Sequence, residues 1–598
     1  MNLDNIYQKH LKQYSDTKDN LSKKSNTIST LRLLVFIAGV LIAILGYSSF
    51  GIMYSVGVFI TSMIFFVFLV VKHEKIISQV NRYKNLAQVN KDCISRMDGK
   101  WINFSKNGED YIDYEHNYSN DLDIFGKASL YQLINTSKTY YGGLKLKNLL
   151  TNPDKNIDSI IKRQNAIKEL SQKIDFCQGL ECEGMLDEEV SRDPVNLIEY
   201  SQDKSKVFGK WLEWTFYILP ELSILSIIIC LIDRRISIYI PVFLLITHIL
   251  LNLYGNTKAI YTINKVSGYK NKIKIFYKII KLIENEHFND QYLIELKGKL
   301  FNNKSASSQI KGLEKIVEAL DLRFNPFFAF FSNILVFWNF HCVMALERWK
   351  SNSGKSIKTW IETIGMFEAL SSLAMVSQLN PHWTFPQFSK KDVFFLADEM
   401  SHPLIHTEKR VCNSIKIDGE VCIITGSNMS GKTTFLRTIG INLVLAYAGA
   451  ATCSKKFEPS IMDIYTSMRI TDDLNQGIST FYAELLRIKM IIENSKKKNP
   501  MIFLIDEVFR GTNSEDRIIG AKNVVLNLYK DWIIGLISTH DFELCNLKNE
   551  NLMNISNYHF EEKYTNNMIE FDYILKSGQC KSTNAKYLMK MVGIELKD

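Results

Sequence analysis

Between Leu33 and Val71 the chain runs for 39 residues without an Asp, Glu, Lys, Arg or His. One bilayer crossing takes about 20 apolar residues, so this run is long enough for two. The break falls in GYSSFG, Gly46 to Gly51, a group of small residues able to turn. Soluble cores seldom extend so far without one charge, and the run reads as a transmembrane hairpin over 33–71 rather than a buried core pair. Lys23, Lys24 and Arg32 flank it on one side and Lys72 and Lys75 on the other, while the turn is uncharged. Basic flanks stay on the cytoplasmic side. The expectation is a multi-pass protein of a bacterial-type inner membrane, with the bilayer as a partner and the N-terminal arm, 1–32, in the cytoplasm. That arm is polar and mixed in charge, unlike a cleavable signal peptide.

A second apolar pair, Trp214 to Ile232 and Ile236 to Tyr254, is joined by Asp233, Arg234 and Arg235. It predicts another hairpin within 211–255. Pro220, Glu221 and His248 interrupt it and the two arginines sit in its loop, so a buried core pair is the alternative. A third stretch, Asn325 to Leu346, carries Asn333, Asn339 and His341 and reads as a buried helix rather than a span.

Composition adds limits. Hydrophobic residues are 46% and charged residues 23%, which excludes disordered, collagen-like and disulfide-stapled chains. A net charge of +9 permits an anionic partner without requiring one. The ten cysteines are scattered, with no CxxC or Cys/His spacing, so neither zinc nor a disulfide partner is expected.

Segments 72–210 and 256–392 have the periodicity of amphipathic helices. From about Val393 the character changes. VCIITGS, MIFLIDEV and WIIGLIST are short β-rich runs separated by helical stretches, the pattern of a parallel sheet covered by helices. The expected fold class is α plus α/β: a helical domain interrupted by transmembrane hairpins, then a C-terminal P-loop domain, 393–575, with a mainly parallel sheet.

Gly426, Ser427, Asn428, Met429, Ser430, Gly431, Lys432 and Thr433 fit G-x4-G-K-[ST] directly after the strand VCIIT, and Thr434 opens the helix that follows. Glycines let backbone N–H groups approach phosphates, and a helix N-terminus favours their charge. In such a loop Lys432 reaches the β- and γ-phosphates of ATP, and the Thr433 hydroxyl binds Mg²⁺. Downstream, MIFLIDE delivers Asp506 and Glu507 at the end of an apolar strand. Asp506 suits a contact to Mg²⁺, and Glu507 suits a general base orienting the attacking water. A further strand, WIIGLIST, ends at His540, whose imidazole is placed to contact the γ-phosphate.

Four segments, TGSNMSGKTTFLRTIG, DDLNQGISTFYAEL, LIDEVFRGTNSED and STHD, resemble in order the ABC-type ATPase domain of the MutS mismatch-repair family. The Asn-Met inside the P-loop, the Ser-Thr-Phe signature and the Arg-Gly-Thr after the strand-end acids carry the resemblance. It implies a homodimer in which Ser479 and Thr480 of one subunit complete the ATP site of the other. It also implies that Arg510 to Asp516 lie at the dimer interface and that 576–598 form dimerisation helices. Asp121 to Pro153 resembles the start of the family's helical core or lever. Before Asp121 the sequence holds a polar arm, an apolar hairpin and a short linker where a mismatch-binding member carries mismatch-recognition and connector domains, so a variant without them is expected. The function implied is a membrane-anchored ATPase acting at a composite dimer site on DNA, in mismatch repair or related metabolism. The alternatives are a membrane scaffold ATPase acting on protein partners and an ABC-type transporter subunit. Against the transporter, Ser-Thr-Phe stands where an LSGGQ-type signature would, and only 74 residues separate Lys432 from Asp506.

Overall fold

The computed structural model describes residues 3–579 apart from 234–236, 303, 470–479, 510–512, 550–553 and 566–567. The chain divides into two compact units that are interleaved in sequence. One comprises Met1–Lys91, Ser137–Leu144 and Asp175–Ala369; the other comprises Asp92–Thr136, Lys145–Ile174 and Leu370–Asp598. The linear boundaries expected at 32, 71, 210 and 392 therefore do not delimit folding units, because the 72–210 stretch contributes to both.

The first unit is helical. Helix α1 (Leu3–Met97) is interrupted at Gly51, whose φ of 81° and ψ of 179° lie in a region open to glycine. The two limbs pack antiparallel: Phe36 meets Phe66 at 5.7 Å, Ser25 bonds His73 at 2.9 Å, and Tyr14 meets Tyr83 at 6.1 Å. Gly39 and Gly46 let the backbones close, since a Cβ at Gly39 would stand 2.3 Å from Ser62 Oγ and one at Gly46 2.6 Å from the Tyr54 ring. The polar arm is thus not a separate element. It pairs with the residues beyond the apolar run and continues the same helical ribbon.

Helix α2 (Lys210–Ile232) packs on α3 (Tyr239–Ser267), which runs well past the expected end at 255. Arg234 and Arg235 of the connecting loop lie outside the described residues. Residues 325–346 are not a single buried helix. Helix α4 (Pro326–Val336) has no buried residue, and Phe327 is 78% exposed. Phe337 then adopts φ 52°, and the chain bends by 78° into α5 (Trp338–Ser353), whose Phe340, Val343 and Leu346 are buried. The polar residues that suggested burial sit at this break: Asn333 Oδ1 accepts the Asn339 N–H at 2.9 Å, and Asn333 O accepts Asn252 Nδ2 at 2.8 Å. By length and composition α1, α2 and α3 are each apolar enough to cross a membrane.

The second unit carries the α/β fold. Strands β1 (Phe395–Met400), β2 (Asn413–Ile417) and β4 (Lys456–Pro459) form a small antiparallel sheet in the order β2-β1-β4. The main sheet has six strands: β3 (Val421–Thr425), β5 (Asp463–Ser467), β6 (Met501–Asp506), β7 (Ile533–Thr539), β8 (Ile555–Thr565) and β9 (Met568–Ser577). Their order is β9-β8-β3-β7-β6-β5, parallel throughout except for the β8/β9 pair. Every residue of β3, β6 and β7 is buried, as parallel strands covered on both faces require. Lys576 and Ser577, expected to begin dimerisation helices, instead close β9; residues 580–598 lie outside the described residues.

Candidate functional site

Register decides where the site forms. Thr425 pairs with Thr539 and Asp506 with Ser538, so β3, β6 and β7 end level at the carboxyl edge of the sheet. Open parallel sheets bind ligands at this edge. The loop after β3, the Glu507 turn after β6 and His540 after β7 emerge there together.

The loop 426–431 leads into α6 (Lys432–Ala448). Gly426 (φ 153°) and Gly431 (φ 104°) are needed as glycines: a Cβ at 426 would lie 2.8 Å from Ser430 Oγ and 2.9 Å from Phe560 O. Lys432 is buried and its Nζ donates to Gly426 O at 2.8 Å and Ser427 O at 2.9 Å, folding its ammonium back over the loop. Ser430 is only 2% exposed, and its Oγ has no hydrogen-bond partner among the described residues. A buried hydroxyl left so costs free energy, which a ligand oxygen can return. The adjoining cavity has a volume of about 530 Å³ and is walled by Met429, Thr433, Glu507, His402, Arg410 and Tyr573.

Thr433 Oγ1 donates to Asp506 Oδ2 at 2.7 Å, and Ser538 Oγ donates to Asp506 Oδ1, so the carboxylate is held from both sides. A hydroxyl beside a carboxylate is the oxygen donor set that suits Mg²⁺. His540 Nε2 lies 2.7 Å from Glu507 Oε1 and 2.7 Å from Asn428 Oδ1. Lys432 Nζ is 3.4 Å from the same atom. The residues singled out at 426–434, 506, 507 and 540 thus converge on one edge. Ser479 lies outside the described residues, as do Arg510 to Thr512; Thr480 opens α7 (Thr480–Ser495).

Backbone strain is concentrated here. Met429 (φ 67°), Glu507 (φ 55°) and Phe509 (φ 62°) all occupy the left-handed region, at a cost of about 1 kcal/mol or more each. The turn after Glu507 is tied down by Glu484 of α7, which accepts the Phe509 N–H, and by Phe481 against the Phe509 ring at 5.9 Å. On the other side, Arg517 of α8 (Ser514–Leu528) grips Asp541 through two bonds of 2.8 and 2.7 Å.

Sequence reasoning missed Glu484, Ser538 and Asn513, which caps α8 by accepting the Asp516 N–H at 2.8 Å. It also missed His402, on whose ring burial, with Arg437 and Arg410 nearby, pushes the pKa down to about 4. The SHP segment offered a signal for His402; a helical Glu such as Glu484 offered none, because its partner is a backbone N–H.

Residues 422–595 match a family model, MutS domain V. Among curated proteins the chain is 32% identical over 239 residues to the DNA mismatch repair protein MutS of Aquifex pyrophilus, covering 39% of this chain and 27% of that one. It is 33% identical over 221 residues to the DNA mismatch repair protein MutS of Bacillus subtilis, covering 35% and 25%. With that of Methanosarcina mazei it shares 28% over 254 residues, covering 41% and 28%. The chain therefore spans about a quarter of the length of these relatives. Its C-terminal part matches MutS domain V, and the likeness to the MutS family rests on that part of the chain.

Proposed function

We propose that the protein is a membrane-anchored MutS-type ATPase that hydrolyses ATP at a site shared between two copies and couples this cycle to DNA. The observation that carries the ATP reading is the carboxyl-edge cluster. Glycine-lined backbone, the orphaned Ser430 hydroxyl, buried Lys432 and the Thr433–Asp506 pair suit a triphosphate and its Mg²⁺. Thr433 and Asp506 would hold the metal. When bound, Mg²⁺ would neutralise phosphate charge.

The chain's own groups divide the remaining work. Lys432 and the N-terminus of α6 offset charge on the phosphates. Glu507 orients a water and takes its proton, and His540 keeps that carboxylate aimed through the 2.7 Å bond. The bilayer reading rests on three long apolar helices, with the limbs of α1 and the pair α2/α3 making four passes. The DNA reading rests on the names of the relatives and on the mild net charge of +9.

The test is ATPase activity of the detergent-purified full chain with and without duplex, mismatched and branched DNA. Activity that depends on Lys432 and rises with one class of DNA is expected. Activity indifferent to every DNA, yet responsive to a protein partner or a small solute, transfers the function to the scaffold or transporter reading. Sharing of the site is tested by mixing Lys432→Ala chains with Ser479→Arg chains. Mixed dimers that keep one intact composite site recover up to half of the activity; no recovery at any ratio overturns the shared site.

A further inference from the structure

The first unit holds a second cavity, remote in sequence from the P-loop. It has a volume of about 560 Å³ and lies between the start of α2 and the second half of α5. Its lining includes Lys206, Glu213, Trp214, Tyr217, Glu347 and Arg348, with two acids and two bases in one small space.

Glu347 is 6% exposed. Its Oε1 accepts the Val207 N–H at 2.5 Å, but its Oε2 is buried and has no hydrogen-bond partner among the described residues. The nearby Lys350 does not fill the gap, because its Nζ donates to Ser205 O at 2.7 Å and lies over the Tyr200 ring. A buried carboxylate oxygen without a donor is costly, and a ligand bearing N–H groups on a positive charge relieves that cost. Across the cavity, the Arg348 guanidinium lies 6.0 Å from the Tyr217 ring centroid and donates to its hydroxyl. Among the described ion pairs it has no carboxylate partner. Lys206 is held only loosely, 3.7 Å from Glu213, with its side chain 56% exposed. The cavity thus offers an unpaired anion and available cations, the complement of a zwitterion.

The lip of the cavity adds a direction. Trp211 and Trp214 are exposed, and Ile218, Leu222 and Leu225 continue the same face of α2 as an exposed apolar stripe. Tryptophans at the head of an apolar helix mark the level of lipid headgroups. We propose that this cavity binds a phosphodiester carrying a primary ammonium, an ethanolamine phospholipid headgroup or its water-soluble counterpart. The ammonium meets Glu347 Oε2 and the phosphate meets Arg348 and Lys206. In the lipid case the acyl chains follow the α2 stripe. A choline headgroup fits worse, because a quaternary ammonium has no N–H to donate. The lipid source rests on the membrane reading of α2; the headgroup chemistry does not.

The experiment uses the full chain in nanodiscs of mixed phosphatidylethanolamine and phosphatidylcholine, with bound lipid counted by native mass spectrometry. A parallel arm titrates detergent-purified protein with glycerophosphoethanolamine and glycerophosphocholine. A preference for ethanolamine of roughly tenfold is expected, the scale of one charge-assisted hydrogen bond. Glu347→Gln, which keeps the Val207 bond, should abolish the preference; Arg348→Ala should weaken both headgroups alike. Should Glu347→Gln not fold, Glu213→Gln leaves Glu347 in place and should retain the preference. Preference in the nanodisc arm assigns the lipid, and preference in the soluble arm alone assigns the free headgroup. Equal binding of ethanolamine and choline in both arms overturns the proposal. Failure of the protein to enter nanodiscs at all would count against the membrane reading, while the soluble arm still reads the cavity.

Discussion

Arg437 and Asp123, 314 residues apart in sequence, are joined by an ion pair of 3.0 Å. Arg437 lies on α6, the helix that the phosphate loop opens, and Asp123 lies in the segment 92–136 of the same unit. Asp123 also receives two bonds from Arg469, just past the end of β5. Two residues earlier, Asp121 accepts Thr466 Oγ1 at 2.7 Å and the Met468 and Arg469 N–H groups at 3.2 and 3.0 Å. Arg487 of α7 adds bonds to the His116 and Asn117 carbonyls. The segment 113–123 therefore straps both the P-loop helix and the elements on either side of residues 470–479.

Asp123→Asn should test that strap. It removes the carboxylate that pairs with both arginines, one of them only 17% exposed in its side chain. The expected loss is about 1–3 kcal/mol, the range for breaking a partly buried charged bond. Urea unfolding of the full chain reads it, and an unchanged midpoint would show that the strap holds nothing.

Glu507→Gln should keep ATP binding while slowing hydrolysis by about 100-fold, the lower end of the range for losing a general base. Lys432→Ala should lose binding itself, since its ammonium is the buried cation of the loop. Nucleotide binding and turnover are measured separately. Wild-type turnover in the Glu507 variant would remove that residue from the role.

His402 makes the second unit sensitive to acid. Its folded pKa of about 4 lies below the unfolded value near 6.5, so the unfolded chain takes the proton first as pH falls. Its contribution to stability is whole above about pH 6.5, declines between there and about 4, and changes no further below. His402→Gln should flatten that part of the profile, read as the difference in Tm between pH 7.5 and 5. An unaltered difference would assign the acid sensitivity to other groups.

Topology follows from the broken helix. On the proposed four-pass reading, in which α1 would cross twice and α2 and α3 once each, reporter fusions after Val71 and at Asp598 should both give the cytoplasmic signal. Opposite signals at the two fusions require an odd number of crossings between them and contradict the four-pass arrangement.

The parts legible in the sequence were those in which one residue type does one job. Gly426, Gly431 and Lys432 announce a phosphate loop because their backbone geometry and charge have few other uses together. Asp506 at the end of MIFLID is legible because an acid after a buried strand must face an edge. Gly51 showed as the end of a small-residue run, although which glycine turns depends on how the limbs meet. Long-range pairings left no trace. Asp123 looks like any surface acid until Arg437 and Arg469 are brought to it, and Glu484 looks like a solvated helix position until the Phe509 N–H turns toward it. The 325–346 stretch misled because its asparagines serve a bend, Asn333 Oδ1 accepting the Asn339 N–H, rather than one continuous buried helix.

The left-handed trio Met429, Glu507 and Phe509 bears on how this protein can be improved. Selection for heat resistance rewards residues that are comfortable at positive φ, and glycine at 507 would release the strain at once. It would also delete the carboxylate beside His540. A stabilised lineage and an active one therefore part company at this codon, and thermal hardening must come from the helices and sheet faces away from the carboxyl edge.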